Sequence, residues 1–293
     1  MVRRLPRRVS RVAWRFGTFA VLLLAGGLAS ATLVRLAPGF GTDERMLDTR
    51  LSSGSIQALE AAAKEGSDIL PYYWNYLVRL SHGDLGTSVS LGRPVRELIG
   101  ERMALTVRSL GAGLLLAWSV SVAVVLALEL VRRQACEIAA ALVAGALLCA
   151  PAAVVALACL YAGGAPAAAI SAILFPRIFR YLRNLVGAAR RAAHVLAAEA
   201  AGLHPLRILA LYVAWPVLPE LLALAGITVS MGVGATIPVE TLCDSAGAGQ
   251  LLWQAAMSRD LPVIVNMTLL ITAVTAGASL LADAVRPARE AGV

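Results

Sequence analysis

The chain has 293 residues, 59% of them hydrophobic and 15% charged, with a mean hydropathy of +0.75. This composition argues against a disordered chain or an ordinary soluble enzyme, because the surplus apolar surface has to face lipid. The formal charge is +8, from 26 basic and 18 acidic residues, and all but one of the basic residues are arginine. The single lysine, Lys64, sits in Glu60-Ala61-Ala62-Ala63-Lys64-Glu65, without the Gly and Ser/Thr neighbours of a phosphate-binding loop. ATP hydrolysis by that route is therefore not expected of this chain. His82, His194 and His204 lack zincin spacing, and Cys136, Cys149, Cys159 and Cys243 form no Cys-x-x-Cys pair, so no metal site, disulfide framework or cofactor is expected.

In chain order, the first uncharged run is Phe16 to Val34, 19 residues after an arginine-rich start. Ala29-Ser30-Ala31 resembles a signal-peptide cleavage site, but the run exceeds a signal core and is read as an uncleaved first span. Ser109 to Leu128 and Leu261 to Ala282 are of similar length, enough for a helix to cross about 30 Å of hydrocarbon. Ile138 to Pro176 is 39 uncharged residues, about two spans, divided near Gly163-Gly164-Ala165-Pro166, where Pro166 is placed to begin a helix. Leu221 to Val239 makes a sixth span between Glu220 and Glu240.

Arginine placement sets the expected orientation. With the N-terminus cytoplasmic, 16 of the 26 basic residues fall in short inner segments, and residues 36–103 carry a balanced seven basic and nine acidic groups. The expected organisation is a cytoplasmic arm (1–15), a first transmembrane helix (16–35), an extracytoplasmic loop subdomain (36–103), a permease core (104–286) with a cytoplasmic loop at about 187–217, and a tail (287–293). Within the outer loop, Ser55 to Lys64 and Tyr72 to Leu80 are amphipathic. The aromatic residues of the second stretch suit either an interfacial anchor or ordinary packing. At the end of the second span, Glu129 is positioned to pair with Arg132 or Arg133, while Gly111 and Gly113 suit close helix packing.

Two segments outside the spans stand out. Gly83-Asp84-Leu85-Gly86-Thr87-Ser88, with Gly92-Arg93-Pro94-Val95 and Glu97, has turn chemistry. The large inner loop places Glu199-Ala200-Ala201-Gly202 between two helical stretches, with Pro216 and Pro219 before the fifth span. Such an elbow is either a docking surface or a plain linker.

Together these segments resemble the inner-membrane permeases of binding-protein-dependent ABC importers, in their dipeptide, oligopeptide and nickel branch. The resemblance covers nearly the whole chain. It rests on the outer-loop residues above and on Arg180-Tyr181-Leu182-Arg183. It continues through Ala198, Ala200, Gly202, Leu203 and Leu218-Pro219, then Gly234-Ala235, Val239-Glu240-Thr241, Gly247-Ala248-Gly249, Leu251-Leu252, Ala255, Arg259-Asp260 and Pro262. Asp283 and Arg286-Pro287 resemble the family's ending.

The resemblance implies an all-α membrane protein of the type I importer fold, with six transmembrane helices, both termini cytoplasmic, in a bacterial inner membrane. It implies a permease path for peptides, nickel chelates or a similar small solute, working by alternating access. The implied partners are a second related permease, two cytoplasmic ATPases that bind ATP and Mg, an extracytoplasmic solute-binding protein and the bilayer, with no nucleic acid. The segment Leu196, Ala197, Ala198, Glu199, Ala200, Ala201, Gly202 and Leu203, closed by Pro219, corresponds to the coupling helix that lies in a groove of the ATPase. Its alanines would permit close approach and Gly202 the turn. Gly83, Asp84, Leu85, Gly86, Ser88, Gly92, Arg93 and Pro94 form the extracytoplasmic motif. Glu240, Gly247, Gly249, Arg259 and Asp260 would form a structural or gating element, with Glu240 and Asp244 just beyond the fifth span.

The chain departs from the family at the docking surface. Leu196 replaces an acidic residue, and Glu199 and Ala201 stand where the peptide branch usually carries Arg and Lys. Leu211-Tyr212-Val213-Ala214-Trp215 replaces a basic stretch and is one residue shorter, and Ala246 replaces a Pro. These changes imply a divergent ATPase or a degraded coupling site. Two other classes remain as alternatives: an ion-coupled secondary transporter, which the uncharged span centres do not support, and a non-transporting scaffold derived from a permease.

Overall fold

A computed structural model describes residues 7–36, 69–131, 133–204 and 207–285. The amphipathic stretch Ser55 to Lys64, the arginines Arg3, Arg4 and Arg132, and Arg286-Pro287 lie outside the described residues. Among the described residues the regular elements are helices, apart from one isolated bridge between Thr87 and Pro94. The helices are α1 (Arg7–Leu36), α2 (Ile69–Ser81), α3 (Val95–Val131), α4 (Gln134–Cys149), α5 (Ala152–Tyr161), α6 (Pro166–Arg190) and α7 (Ala193–Ala200). A π-helical segment (Ile208–Ala214) precedes α8 (Leu218–Leu242), α9 (Ala248–Met257) and α10 (Leu261–Val285).

Among the described residues three helices are long and apolar enough to cross a membrane: α3, α8 and Leu261–Ala282 of α10. A shorter apolar stretch, Gly17–Leu33, lies within α1, and α4 with α5 makes a fourth candidate span that is bent by 107°. That bend corrects the expectation of an unbroken helix between residue 138 and the Gly-Gly break. Pro151 has no N–H to donate and its ring disfavours helical backbone at the preceding residue. Ala150 accordingly turns to φ −75°, ψ 130°. The second break falls where the glycines put it, and Pro166 opens α6.

The chain divides into two compact units, Met1–Arg102 with Leu251–Ala273, and Met103–Gln250 with Val274–Val293. The segment 251–273, grouped above with the permease core, thus belongs to the N-terminal unit. In that unit Ala31 of α1, Tyr73 and Tyr76 of α2, and Leu261 and Val265 of α10 share a buried cluster. The Tyr73 hydroxyl donates to the Leu24 carbonyl at 2.9 Å, and Gly27 lies so close that a Cβ there would fall 2.5 Å from that hydroxyl. Tyr73 and Tyr76 therefore pack inward, while Trp74 projects outward.

The second unit is organised around α6. Ile170, Leu174, Ile178 and Leu182 recur every four residues, and all are buried. This is the stripe that an amphipathic helix turns toward its neighbours. It packs with Ala117, Val125 and Leu128 of α3, Ala144 of α4, Ala156 of α5, and Leu224 and Val239 of α8. At Gly113 a Cβ would sit 2.7 Å from Ile170, so glycine lets α3 and α6 approach closely, whereas Gly111 has open space around it.

Candidate functional site

The loop after α2 is built by short-range rules and then pinned at long range. α2 ends with Gly83 at φ +79°, its N–H bonded to Leu80 O while Asp84 N–H reaches back to Arg79 O. This is the paired C-terminal closure that favours glycine in the left-handed region. The Asp84 carboxylate then accepts from Gly86 N–H at 2.8 Å and from Arg79 at 2.9 Å. The Gly86 N–H first, and the Arg79 guanidinium second, hold this exposed carboxyl below its ordinary range. A depressed value means that the turn is supported above the usual carboxylate pKa and loses support as pH falls through the lowered one. Replacing Asp84→Asn should abolish that acid-side loss, so its unfolding midpoint should converge with that of the wild type on acidification. Parallel midpoints down to the acid limit would refute the assignment.

Farther along, Ser88 N–H bonds to Arg93 O and Val95 N–H to Gly86 O, which closes the loop onto the start of α3. Arg93 forms a two-pronged pair with Glu101 at 3.1 and 2.6 Å. The long-range pin is Asp260, only 1% exposed. Its Oδ2 accepts from Ser88 Oγ at 2.5 Å, from Ser90 N–H at 3.0 Å and from Ser90 Oγ at 2.7 Å. Its Oδ1 faces Val263 N–H at 3.4 Å, so the same carboxylate caps α10. Asn266, one turn farther on, donates to Leu85 O at 2.9 Å and accepts from Tyr76 at 2.8 Å. The Gly-Asp-Leu-Gly-Thr-Ser motif and the Arg-Asp motif are thus two halves of one hydrogen-bonded joint.

A second joint lies in the other unit. α8 extends beyond the apolar run and carries Glu240 in its last turn, where the side chain is fully buried. Its Oε2 accepts from Gly249 N–H at 2.7 Å, and Oε1 lies 3.4 Å from the Ser109 hydroxyl. Thr106 Oγ1 accepts from Ala248 N–H at 2.7 Å. The opening N–H groups of α9 therefore meet a carboxylate and a hydroxyl, the chemistry that satisfies a helix N-terminus and its dipole. Gly247 and Gly249 follow from the same geometry, because a Cβ on Gly247 would fall 2.1 Å from Glu240 Oε2. Asp244, at φ +47°, closes α8, and Gln250 donates to its carboxylate at 2.9 Å. Arg259, at φ +55°, closes α9 in the same way.

The elbow of the inner loop is the third feature. α7 ends on Gly202 at φ +72°, with Gly202 N–H bonded to Glu199 O and Leu203 N–H to Ala198 O. Val195 and Ala198 are buried in a small cluster with Ile208 and Val213. His194 lies 3.1 Å from the Tyr212 carbonyl. The alanines thus divide: Ala198 faces inward to hold α7, which corrects its expected place on the docking face. Leu196, Ala197, Ala200, Ala201 and Gly202 stay exposed. The split follows from the three-residue step between Val195 and Ala198, which puts both on one helix face. Pro219 sits in the first turn of α8, where its missing N–H costs nothing.

Of the two expected partners of Glu129, Arg132 lies outside the described residues, and no ion pair to Arg133 occurs among the described ones. α3 ends at Val131 and Arg133 has extended backbone, so no continuous helix carries an i, i+4 pair across that point. Instead Glu129 meets Arg183 at 2.6 Å and Arg190 at 2.5 Å, both on α6. The roles of Ser90, Asn266, Thr106, Ser109 and Arg190 were not foreseen. Lone polar residues within or beside apolar runs were the available signal for Thr106, Ser109 and Asn266; Ser90 and Arg190 carried none.

Regular elements that are helices among the described residues, with several of them apolar enough to cross a membrane, define a multi-pass membrane protein. Residues 107–291 match the family described as binding-protein-dependent transport system inner membrane component, so the chain belongs to that family. It is also 26% identical, over 265 residues, to the oligopeptide transport system permease protein OppB of Salmonella typhimurium (strain LT2). That similarity covers 82% of this chain and 85% of that protein. The protein is an inner-membrane component of a transport system and contributes to its transport path.

Proposed function

We propose that this chain is one permease half of an ATP-driven importer. It would have six spans with both termini cytoplasmic, and would pair with a second permease, two ATPases and an extracytoplasmic binding protein. ATP and Mg would be bound by the ATPases, and this chain would supply only the moving path. Similarity to a protein named for oligopeptide transport supports peptides as cargo. The observation that carries the coupling role is the elbow at Gly202: a short helix held from beneath by Val195 and Ala198 displays Leu196, Ala197, Ala200 and Ala201 outward. Small exposed side chains on a helix seated by its opposite face suit insertion into a groove. Glu240 is a weak candidate for an ion-coupling site, because its oxygens already serve the start of α9.

The test is Ala200→Trp, a change on the exposed side of α7. ATP-dependent uptake should fall about tenfold or more, the loss that follows when roughly 1.4 kcal/mol of docking free energy is removed. Membrane insertion and thermal midpoint should be retained. Uptake at the wild-type rate would reject the docking role.

A further inference from the structure

We propose that Arg190 is a positioning residue that mechanically links the docking helix α7 to the end of α3, through the carboxylates of Glu199 and Glu129. The proposal rests on the docking role given above for α7. Arg190 is the last residue of α6, and its guanidinium touches two helices at once. Nη1 donates to Glu199 Oε1 on α7 at 3.0 Å, while Nε lies 2.5 Å from Glu129 Oε2 on α3. The second contact is ionic and lacks the alignment of a hydrogen bond. The other Glu129 oxygen receives Arg183 Nη1 at 2.6 Å, and Arg183 Nη2 holds Glu137 in the first turn of α4. Five charged groups from α3, α4, α6 and α7 therefore form one connected cluster.

Burial grades this cluster from inside to outside. Glu129 is 7% exposed and Arg190 17%, whereas Glu199 is 39% exposed. The inner pair is shielded from water and salt, so its attraction is strong and tied to geometry. The apolar seat of α7 is different in kind. Val195, Ala198, Ile208 and Val213 present only aliphatic side chains, and burial of such surface has no directional preference. A helix seated only on that surface could slide without much loss. The Arg190–Glu199 pair fixes where it sits, and a displaced α7 would pull on Arg190 and so on Glu129. Within the same unit α3 then carries that displacement from Glu129 toward Gly113, which packs against Ile170 of α6, and Leu110, which packs against Gly232 of α8. Glu199 is also a residue at which this chain departs from the peptide branch, so the link would be a property of this chain.

The experiment uses the transport complex purified from its native membrane through a tag on this chain, reconstituted in vesicles with its binding protein. Three variants are compared: Glu199→Gln, Arg190→Gln and the double variant. The readouts are the ATP hydrolysed per solute imported and the amount of ATPase that co-purifies. Each single variant should raise the ATP cost per solute by about fivefold or more, the lower end of ordinary coupling between sites. ATPase co-purification should stay unchanged, and the double variant should be no worse than either single, as expected for two residues acting through one contact. Unchanged ATP per solute in Glu199→Gln, or additive losses in the double variant, would overturn the proposal. Loss of co-purified ATPase in Glu199→Gln would also overturn it, since Glu199 would then touch the ATPase directly. Glu199 is largely exposed, so its variant keeps the test decisive even if Arg190→Gln destabilises the fold. The two readings fail separately: intact uptake in Ala200→Trp sinks docking, whereas a damaging Ala200→Trp beside silent Glu199→Gln and Arg190→Gln variants sinks only the link.

Discussion

Replacing Gly249→Val should cost about 2.5–6 kcal/mol of stability and abolish transport, from roughly 1–3 kcal/mol for overpacking and 1.5–3 for a lost bond to a charged group. The reason is where the new Cβ would fall. It would sit 2.8 Å from the Thr236 carbonyl carbon and oxygen and 2.9 Å from Ile237 Cα, all backbone atoms of α8. A rotamer change relieves a clash with a side chain, but only separation of the two helices relieves this one. Separation also breaks the 2.7 Å bond between Gly249 N–H and Glu240, which leaves a buried carboxylate facing fewer donors. Gly249→Ala carries the same Cβ and should already lose much of that stability. Gly234→Ala is the control, because it lies on α8 with open space at its Cβ. It should be neutral or gain up to about 1 kcal/mol from reduced backbone entropy. Thermal midpoints of the detergent-purified protein decide the matter: equal midpoints for Gly249→Ala and Gly234→Ala would show that the close approach does not constrain this joint.

Asp260→Ala should be of comparable severity, about 3–5 kcal/mol, with release of the loop between Gly83 and Pro94. The carboxylate is buried and accepts three bonds from Ser88 and Ser90, while also capping α10. Loss of an N-cap costs about 1 kcal/mol, the buried Ser88 hydroxyl left without an acceptor about 1–3 kcal/mol, and the two donors of exposed Ser90 about 1 kcal/mol together. Asp260→Asn keeps one oxygen and should be milder. Ser90→Ala removes one donor and leaves its backbone N–H bonded, so it should cost roughly 1 kcal/mol. The order alanine, asparagine, then Ser90→Ala, read from thermal midpoints and from proteolysis within residues 83–94, is the signature of a carboxylate that ties the loop down. Wild-type protease resistance in Asp260→Ala would contradict it.

Both predictions concern joints whose parts were visible as motifs but whose pairing was not. Asp260 and Ser88 are 172 residues apart, and Glu129 and Arg183 are 54 apart. Nothing in the sequence around Glu129 distinguishes Arg183 and Arg190 from the nearer Arg132 and Arg133. Local helix geometry favoured the nearer residues, and the extended backbone of Arg133 removes the i, i+4 pair. Pro151 was a legible break that the surrounding apolar run concealed, since composition reports the length of a span and not its straightness. Ala198 shows the same gap at the scale of one side chain. Ala197, Ala198, Ala200 and Ala201 look equivalent until the position of the neighbouring π-helical segment decides which of them is covered.

The sequence alone therefore determined what depends on a window of a few to about twenty residues. That includes the lipid-facing composition, the places where helices run, the start at Pro166, the turn at Gly202 and the membership signalled by ordered motifs. Transfer free energy, helix period and positive-φ preference are all local quantities, so they can be read locally. The tertiary structure decided which carboxylate meets which donor, which glycine marks a close approach and which alanine faces inward. Those outcomes depend on distances between segments remote in sequence, and hydrogen bonds and ion pairs act only over a few ångströms.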